Sequence, residues 1–359
     1  YKRQQKYADG AQTTSRTSYN TFNFHDIAFQ LPLARRLGLG FSLTPYSSVG
    51  YRVSADEQSD DVWGNIGRVQ YLYAGEGDLT EVKLGIGWEV VKRVSIGVAA
   101  QYYWGDIERT YQTVVSNNIV NGGSVNTVTG TDSYGISRIK MQLGLQADLI
   151  QSERQVLTLG ATYDMGGNLR PSVNQTVVNG DIYGTVVRGD TTRMALKLPV
   201  QLGVGLYYQN AKIAAGVDYI YQNWENNESP KSVPGAVNVA YKNTNTVKLG
   251  FEYTPNRMDI RNYLKRWSYR VGFRYGTYYQ TFEGKTLSQY AVTAGFGMPV
   301  RFLGRSSIDF GVEFGQRGND SPLRIDNRQI GLVRQRYVKF SLGLTLFGED
   351  SWFVRYKYD

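Results

Sequence analysis

The chain has no cysteine, so it can carry neither a disulfide framework nor a thiolate metal site. It also lacks any apolar run approaching the ~18 residues that a membrane-crossing helix needs, and its mean hydropathy is −0.39. A helical membrane protein is thereby excluded. Proline is scarce, 9 residues in 359, which does not suit a disordered proline-rich chain. The net charge is +9, yet Lys and Arg are scattered and form no basic block. That distribution argues against a nucleic-acid partner; the charge is also compatible with anionic lipid or lipopolysaccharide. Residues 1–18 are polar and hold no apolar signal segment, so a leader is expected to be removed or to lie upstream.

Glycine (40) and tyrosine (28) are abundant, and apolar residues follow a period of two. Val82, Leu84, Ile86, Trp88 and Val90 alternate with Glu81, Lys83, Gly85, Gly87 and Glu89. Past Lys92 and Arg93, Val94, Ile96, Val98, Ala100, Tyr102 and Trp104 alternate with Ser95, Gly97, Ala99 and Gln101. The pattern recurs through 139–149, 157–163, 194–208, 213–221, 247–253, 269–275, 292–298, 308–314 and 338–346. Strand side chains alternate faces, so each segment has one apolar face and one polar or glycine face. Soluble strands usually run about 5–6 residues, whereas tilted membrane-spanning strands need ~9–11, a length that several segments reach.

Connections fall into two sizes. Short ones sit at 92–93, 152–154, 209–211 and 300–304; long polar ones span 107–132, 165–192, 225–243 and 318–333. Short periplasmic turns alternating with long external loops characterise outer-membrane barrels. Tyr102, Tyr103, Trp104, Tyr219, Tyr221, Trp224, Trp267 and Tyr269 fall at strand ends, where interfacial aromatic girdles belong. Strands are expected near 19–34, 37–53, 78–91, 94–107, 134–150, 155–164, 193–209, 211–224, 243–255, 267–281, 286–299, 304–317 and 334–347. The last should end on the periplasmic side. Residues 56–73 read as an external excursion. These thirteen strands, with even numbers the rule, point to fourteen, the first supplied by 1–14 or lying upstream. The expected fold is all-β: a single antiparallel transmembrane barrel domain over 1–359, in the outer membrane of a Gram-negative bacterium.

Several stretches resemble the FadL-type long-chain fatty-acid transporters. They are residues 37–51 with their proline after a glycine-rich start, Glu76-Gly77-Asp78-Leu79 leading into 82–88, and Leu198-Pro199 leading into Gly203-Val204-Gly205. Residues 215–224, with Asp218 and Tyr219, are similar too, as is the closing stretch 352–357. The resemblance implies a fourteen-stranded barrel with an N-terminal hatch, passing hydrophobic compounds through a kinked third strand into the membrane. An Asn-Pro-Ala hatch segment is absent from 1–18, so a hatch would have to precede residue 1. Barrels of this family also serve as non-conducting partners in larger outer-membrane machines for protein secretion or barrel assembly.

Two groups of residues are candidate sites. Pro45 cannot donate a ladder hydrogen bond; with Tyr46, Ser47, Ser48 and Gly50 it marks an expected kink, read either as a lateral gate or as an ordinary strand end. On the inward face, Lys248, Glu252, Arg270, Arg274, Asp309 and Glu313 are expected to form a charge network that narrows the lumen, since unpaired buried charges cost several kcal/mol. Arg138, Lys140, Asp148, Arg193, Lys197, Lys212 and Asp218 also fall on inward positions. The inward pairs Gly85/Gly87, Gly203/Gly205 and Gly295/Gly297 are not phosphate loops, because no helix start follows them.

Enzymatic chemistry has little to work with. His25 stands beside Asp26, but no G-x-S-x-G, no H-E-x-x-H and no carboxylate set suited to a transition metal occurs. No cofactor is expected. The function expected is transport of hydrophobic small molecules across the outer membrane; the alternative is a closed barrel subunit bound to other outer-membrane proteins. An open porin usually needs about 16–18 strands, more than this chain supplies.

Overall fold

Alternating apolar and small or polar residues at this length satisfy their backbone only by pairing sideways, and the described strands obey that rule. The computed structural model describes residues 2–6, 12–16, 24–57, 60–117, 124–180, 185–193, 197–225, 239–282, 284–300, 306–318, 322–325, 328–331 and 334–346. Thirteen of its strands form one continuous antiparallel path. They are β1 (Ile27–Ala34), β2 (Leu37–Asp56), β3 (Arg68–Val91), β4 (Val94–Asn117), β5 (Ser124–Gln151), β6 (Gln155–Asp164) and β7 (Val200–Asn210). The path continues through β8 (Ile213–Asn223), β9 (Thr244–Tyr253), β10 (Ser268–Phe282), β11 (Lys285–Val300), β12 (Ser306–Arg317) and β13 (Gln335–Thr345). Three further strands branch from it: Ser172–Gly180 on β5, Thr185–Arg193 beyond that, and Val239–Tyr241 on β10.

The sheet curls into a barrel. One cavity of about 640 Å³ is lined by His25 and Asp26, which precede β1, by Asp218 of β8, and by Ser341 and Gly343 of β13. Both ends of the path thus line the same cavity.

Register joins the apolar residues into one outward belt. Leu39 pairs with Ile86, Ile86 with Val98 and Val98 with Leu143. Further along, Leu159 pairs with Leu206, Leu206 with Val217, Val217 with Leu249, Leu249 with Phe273 and Phe273 with Val292. Phe310 meets Leu342 at the far end. These side chains are exposed in large part, Phe340 to 77% and Leu342 to 71%, so they turn outward rather than into a core. Water would make that arrangement unfavourable; lipid makes it the stable one. The short connections at 92–93 and 152–154 fall at one end of the barrel, as does 211–212, expected at 209–211; 301–304 of the expected 300–304 lies outside the described residues.

Most expected strands match the observed ones closely where lipid is contacted, but the strand expected over 193–209 begins only at Val200, Arg193 ending the separate strand Thr185–Arg193, and the one expected from 19 begins at Ile27. At the other end they fall short. β3 and β4 each run 24 residues and β5 runs 28, far more than the ~9–11 needed to span a bilayer. Residues expected as loops at 107–117 and 124–132 are therefore paired strand, as are Ser172–Gly180 and Thr185–Arg193. The expected excursion at 56–73 holds a one-and-a-half-turn helix, α1 (Asp60–Asn65), and from Arg68 onward is already β3. Beyond the lipid both faces of the sheet meet polar surroundings, so no apolar stripe marks these extensions. Opposed glycines stand at their base. Gly77 (φ 118°) and Gly105 (φ 151°) adopt backbone conformations that favour glycine, and a Cβ on either would strike the facing carbonyl of Asp106 or Asp78. The closing stretch 352–357, the expected strand start at 19–23 and most of 225–243 lie outside the described residues.

The girdle assignment holds for Tyr102 and Trp104, which stack outward with centroids 5.6 Å apart, and for Trp267, which stacks on the outward Phe296 at 5.0 Å. Tyr103 instead turns inward and is 1% exposed, and Trp224 turns inward against Tyr279, with centroids 4.1 Å apart. Their odd–even position places them on the lumen face, which outweighs the aromatic preference for the interface.

The belt gives a direct test. Leu159 lies mid-strand in β6 facing outward, while Thr158 faces inward and donates to Asp148 at 2.7 Å. Leu159→Arg is expected to lower unfolding stability by about 2–4 kcal/mol in detergent–urea titration, with Thr158→Arg far milder. The reverse order would overturn this register.

Candidate functional site

The inward layer is built on a simple spacing. Neighbouring strands lie about 4.7–4.9 Å apart, so a long side chain reaches past an adjacent strand only if that strand carries small residues there. β11 does. Its inward positions opposite β10 are Ala291, Thr293, Gly295 and Gly297, and Arg270 of β10 stretches over them to β12. There Arg270 Nη1 donates to Asp309 Oδ1 at 2.5 Å, while its Nε donates to Glu252 Oε2 of β9 at 2.8 Å. Two carboxylates thus clamp one guanidinium across four strands. A Cβ at Gly297 would collide with Asp309 Oδ1 and crowd both Arg270 Nη atoms at 3.4 Å. Arg274 repeats the device one level higher, donating to Glu313 Oε1 at 2.9 Å and to the Tyr337 hydroxyl of β13 at 3.1 Å. Tyr337 in turn donates to Glu313 at 2.6 Å.

Five of the six residues expected to form a charge network are therefore in ion-pair contact. The sixth, Lys248, lies in register between Asp218 and Arg274 and makes no ion pair among the described residues. All six share the inward face.

A second inward layer crosses the other half of the wall. Gln101 of β4 donates to Asp164 Oδ1 of β6 at 3.0 Å and, more weakly, to Glu81 of β3 at 3.4 Å. Gln201 of β7 donates to the other oxygen of Asp164 at 2.9 Å, and Gln222 of β8 donates to Gln201 at 2.8 Å. Thr244 of β9 and the Trp224 indole both donate to Gln222 Oε1, at 3.0 and 2.9 Å. Lys140 of β5 reaches the same level, its Nζ 5.4 Å from the Tyr103 ring centroid. Glu81, Gln101, Lys140 and Asp164 are all buried. The amides and Asp164 were not singled out from the sequence. Only their even spacing down successive strands, a polar residue at one matching level, could have pointed to them.

Above this belt sits a small apolar cluster of Leu79, Tyr103, Ile136 and Leu169, with Ile107 and Leu198 packed against it. Leu169 and Pro171 belong to the segment between β6 and Ser172–Gly180, and both are fully buried. Arg138 Nε holds the segment by donating to the Leu169 carbonyl at 3.2 Å. Gly167 pairs with Leu198 and lies over the Lys140 side chain, where an added Cβ would touch Cγ at 3.3 Å.

The other candidate group stands at a β-bulge. β2 pairs with β3 up to Pro45–Thr80, skips Tyr46, and resumes at Ser47–Leu79 through to Asp56. The extra residue switches parity: Leu39, Phe41 and Leu43 face lipid before it, whereas Val49, Tyr51 and Val53 pair with inward β3 residues after it. Tyr46 itself meets Tyr103 edge-on, with centroids 4.9 Å apart and planes at 77°. Ser48 and Gly50 pair with Asp78 and Glu76. Among the described residues, β1 pairs with β2 only over Leu37–Leu43. His25 and Asp26 contact each other at 2.6 Å and line the cavity beside Lys248 and Arg270.

The sequence model of the BamG family matches residues 3–359. The chain belongs to the BamG family. No curated protein matches it. Among solved structures, a FadL homologue of Pseudomonas aeruginosa is similar over 89% of this chain and 77% of its own, with 14% identity and a TM-score of 0.60. The toluene transporter TodX of P. putida is similar over 97% of this chain and 88% of its own, also at 14% identity and a TM-score of 0.60. At that identity the likeness is one of fold: this BamG-family chain is an antiparallel β-barrel like those two proteins.

The clamp over β11 predicts a contrast between two inward glycines. Gly297→Ala, which drives a methyl into the Arg270–Asp309 pair, is expected to cost about 1–3 kcal/mol. Gly87→Ala, with nothing within 4 Å of its added Cβ, should stay within about 0.5 kcal/mol. Equal losses in denaturant titration would show that the clamp does not constrain β11.

Proposed function

We propose that this chain is a closed, non-conducting barrel that acts as a subunit of a larger outer-membrane machine for protein secretion or barrel assembly. One observation carries the reading: among the described residues the inward side chains bind one another. The polar belt links β3, β4, β6, β7, β8 and β9, and the arginine clamps link β9, β10, β12 and β13. With Leu79, Tyr103, Ile136 and Leu169 closing over the belt, the interior packs against itself. The remaining cavity offers Asp218, Lys248, Glu252, Arg270 and Asp309. An apolar molecule entering there would displace water from charged groups without replacing their hydrogen bonds, at a cost of several kcal/mol. A barrel whose interior serves its own rigidity has its outer surfaces free for partners. On this reading the chain is one barrel domain sitting in a Gram-negative outer membrane among lipid, lipopolysaccharide and other outer-membrane proteins.

Two measurements test it. In planar bilayers the purified barrel is expected to show no steady conductance, and a large persistent one would overturn the closed interior. Gentle extraction from its native membrane should yield the chain in a stoichiometric complex with another outer-membrane polypeptide; recovery only as a lone barrel would remove the subunit role.

A second reading has its own support in the bulge at Tyr46. Here Pro45, Tyr46, Ser47, Ser48 and Gly50 form a lateral gate through which hydrophobic small molecules leave the barrel for the membrane. On this reading the opening lies on the β1 side of β2, where β1 pairs only as far as Leu43 among the described residues, while the β2–β3 ladder continues from Ser47. Liposomes carrying the barrel would then take up monoaromatic hydrocarbons faster than empty ones, and filling the bulge by deleting Tyr46 would abolish the difference. Uptake equal to that of empty liposomes sinks this reading.

A further inference from the structure

The β9–β10 connection, at the short-turn end, differs from its neighbours. It is longer, and it displays apolar side chains to the outside: Ile260 is 99% exposed, Met258 76% and Leu264 54%. This exposure is held in place by backbone bracing. Asp259 Oδ1 accepts from the Arg261 and Asn262 amides at 2.9 and 2.7 Å, and Asn262 Oδ1 caps the 3₁₀ turn Tyr263–Arg266 by accepting from Leu264 N at 3.1 Å. Asn256 N donates to the Lys265 carbonyl at 2.8 Å and closes the base of the loop.

The loop also has a defined position. The Tyr263 hydroxyl donates to the Pro299 carbonyl at 2.7 Å, and Trp267 stacks on Phe296, which continues to Phe310 on the lipid-facing belt. Apolar tip and aromatic base are thus continuous with the surface that contacts acyl chains. Across 255–267 four cations, Arg257, Arg261, Lys265 and Arg266, stand against one anion, Asp259; Lys265 lies 3.8 Å from Asp259 and Arg257 3.4 Å from Glu252, which leaves Arg261 and Arg266 without a carboxylate partner among the described residues. Apolar residues flanked by cations and seated beside interfacial aromatics match a lipid surface carrying negative headgroups.

We propose that this loop is an interfacial anchor: Met258, Ile260 and Leu264 enter the leaflet at the short-turn end, and the flanking cations bind anionic phospholipid headgroups there. It would fix the depth and tilt of the barrel on one side. This goes beyond the subunit reading and does not depend on it.

The absence of cysteine makes the test direct. Ile260→Cys and, in the short β5–β6 turn, Glu153→Cys would each carry an environment-sensitive fluorophore, with folding verified by heat-modifiable electrophoretic mobility. The full chain would be reconstituted in vesicles of phosphatidylcholine alone or with phosphatidylglycerol. At position 260 the emission is expected to shift to the blue and to be quenched by brominated acyl chains, more strongly with phosphatidylglycerol; at 153 it should remain water-like. Adding Arg261→Glu and Lys265→Glu to the labelled protein should abolish the phosphatidylglycerol dependence. A water-like signal from position 260 in both vesicles would overturn the anchor. Equal quenching in neutral and anionic vesicles would overturn the headgroup selectivity. Shielding of 260 that arises only when a partner protein is added, and not from lipid, would assign the loop to a protein contact and reject the proposal.

Discussion

Inside a bilayer the backbone has no water to bond with, so every N–H and C=O of a spanning strand must be taken up by a neighbouring strand. That requirement makes the ladder, and the ladder imposes a period of two on everything else. Register carries Leu39, Ile86, Val98 and Leu143 round one side of the wall and Val217, Leu249, Phe273 and Val292 round the other, always outward. The residues between them have no choice but to face in. What they do there depends on size: glycine and alanine on β11 clear a path, and Arg270 and Arg274 use it to reach carboxylates two strands away.

The inward side chains so placed bond to one another in two groups. Each carboxylate of the clamps has a guanidinium, and the buried Asp164 accepts from two amides. Removing a buried member of the belt, such as Gln101 or Asp164, strands its partners, since a buried donor or acceptor left without a mate costs about 1–3 kcal/mol. Such an interior rigidifies the barrel. The FadL-type fold is shared with transport proteins at 14% identity, and a fold at that distance does not set function. Function is argued from the inward chemistry and from the surfaces left over.

How much could be read in advance varied with the surroundings of each residue. Strands in contact with lipid announced themselves, because a lipid-facing position tolerates only apolar side chains; β6 was located to the residue and β12 within two at its start. The extensions of β3, β4 and β5 did not, because Thr110, Gln112, Thr129 and Thr131 face polar surroundings on one side and offer no contrast with the other. Tyr103 and Trp224 read as girdle residues because they sit beside strand ends, yet their parity turns them inward. The bulge was legible only as a proline; that it inserts Tyr46 and reverses the facing of all that follows required the pairing itself.

By itself the sequence determined that the chain spans a membrane with strands, which residues of those strands meet lipid, and which charges lie inside, since each follows from alternation along one segment. The partners of those charges were decided only in the tertiary structure. Arg270 meets Asp309, 39 residues away, and Gln101 meets Asp164, 63 residues away, because curvature and register bring them to one level. Alternation is a property of a single strand and is written locally. Level and reach belong to the closed set of strands, and no single segment contains them.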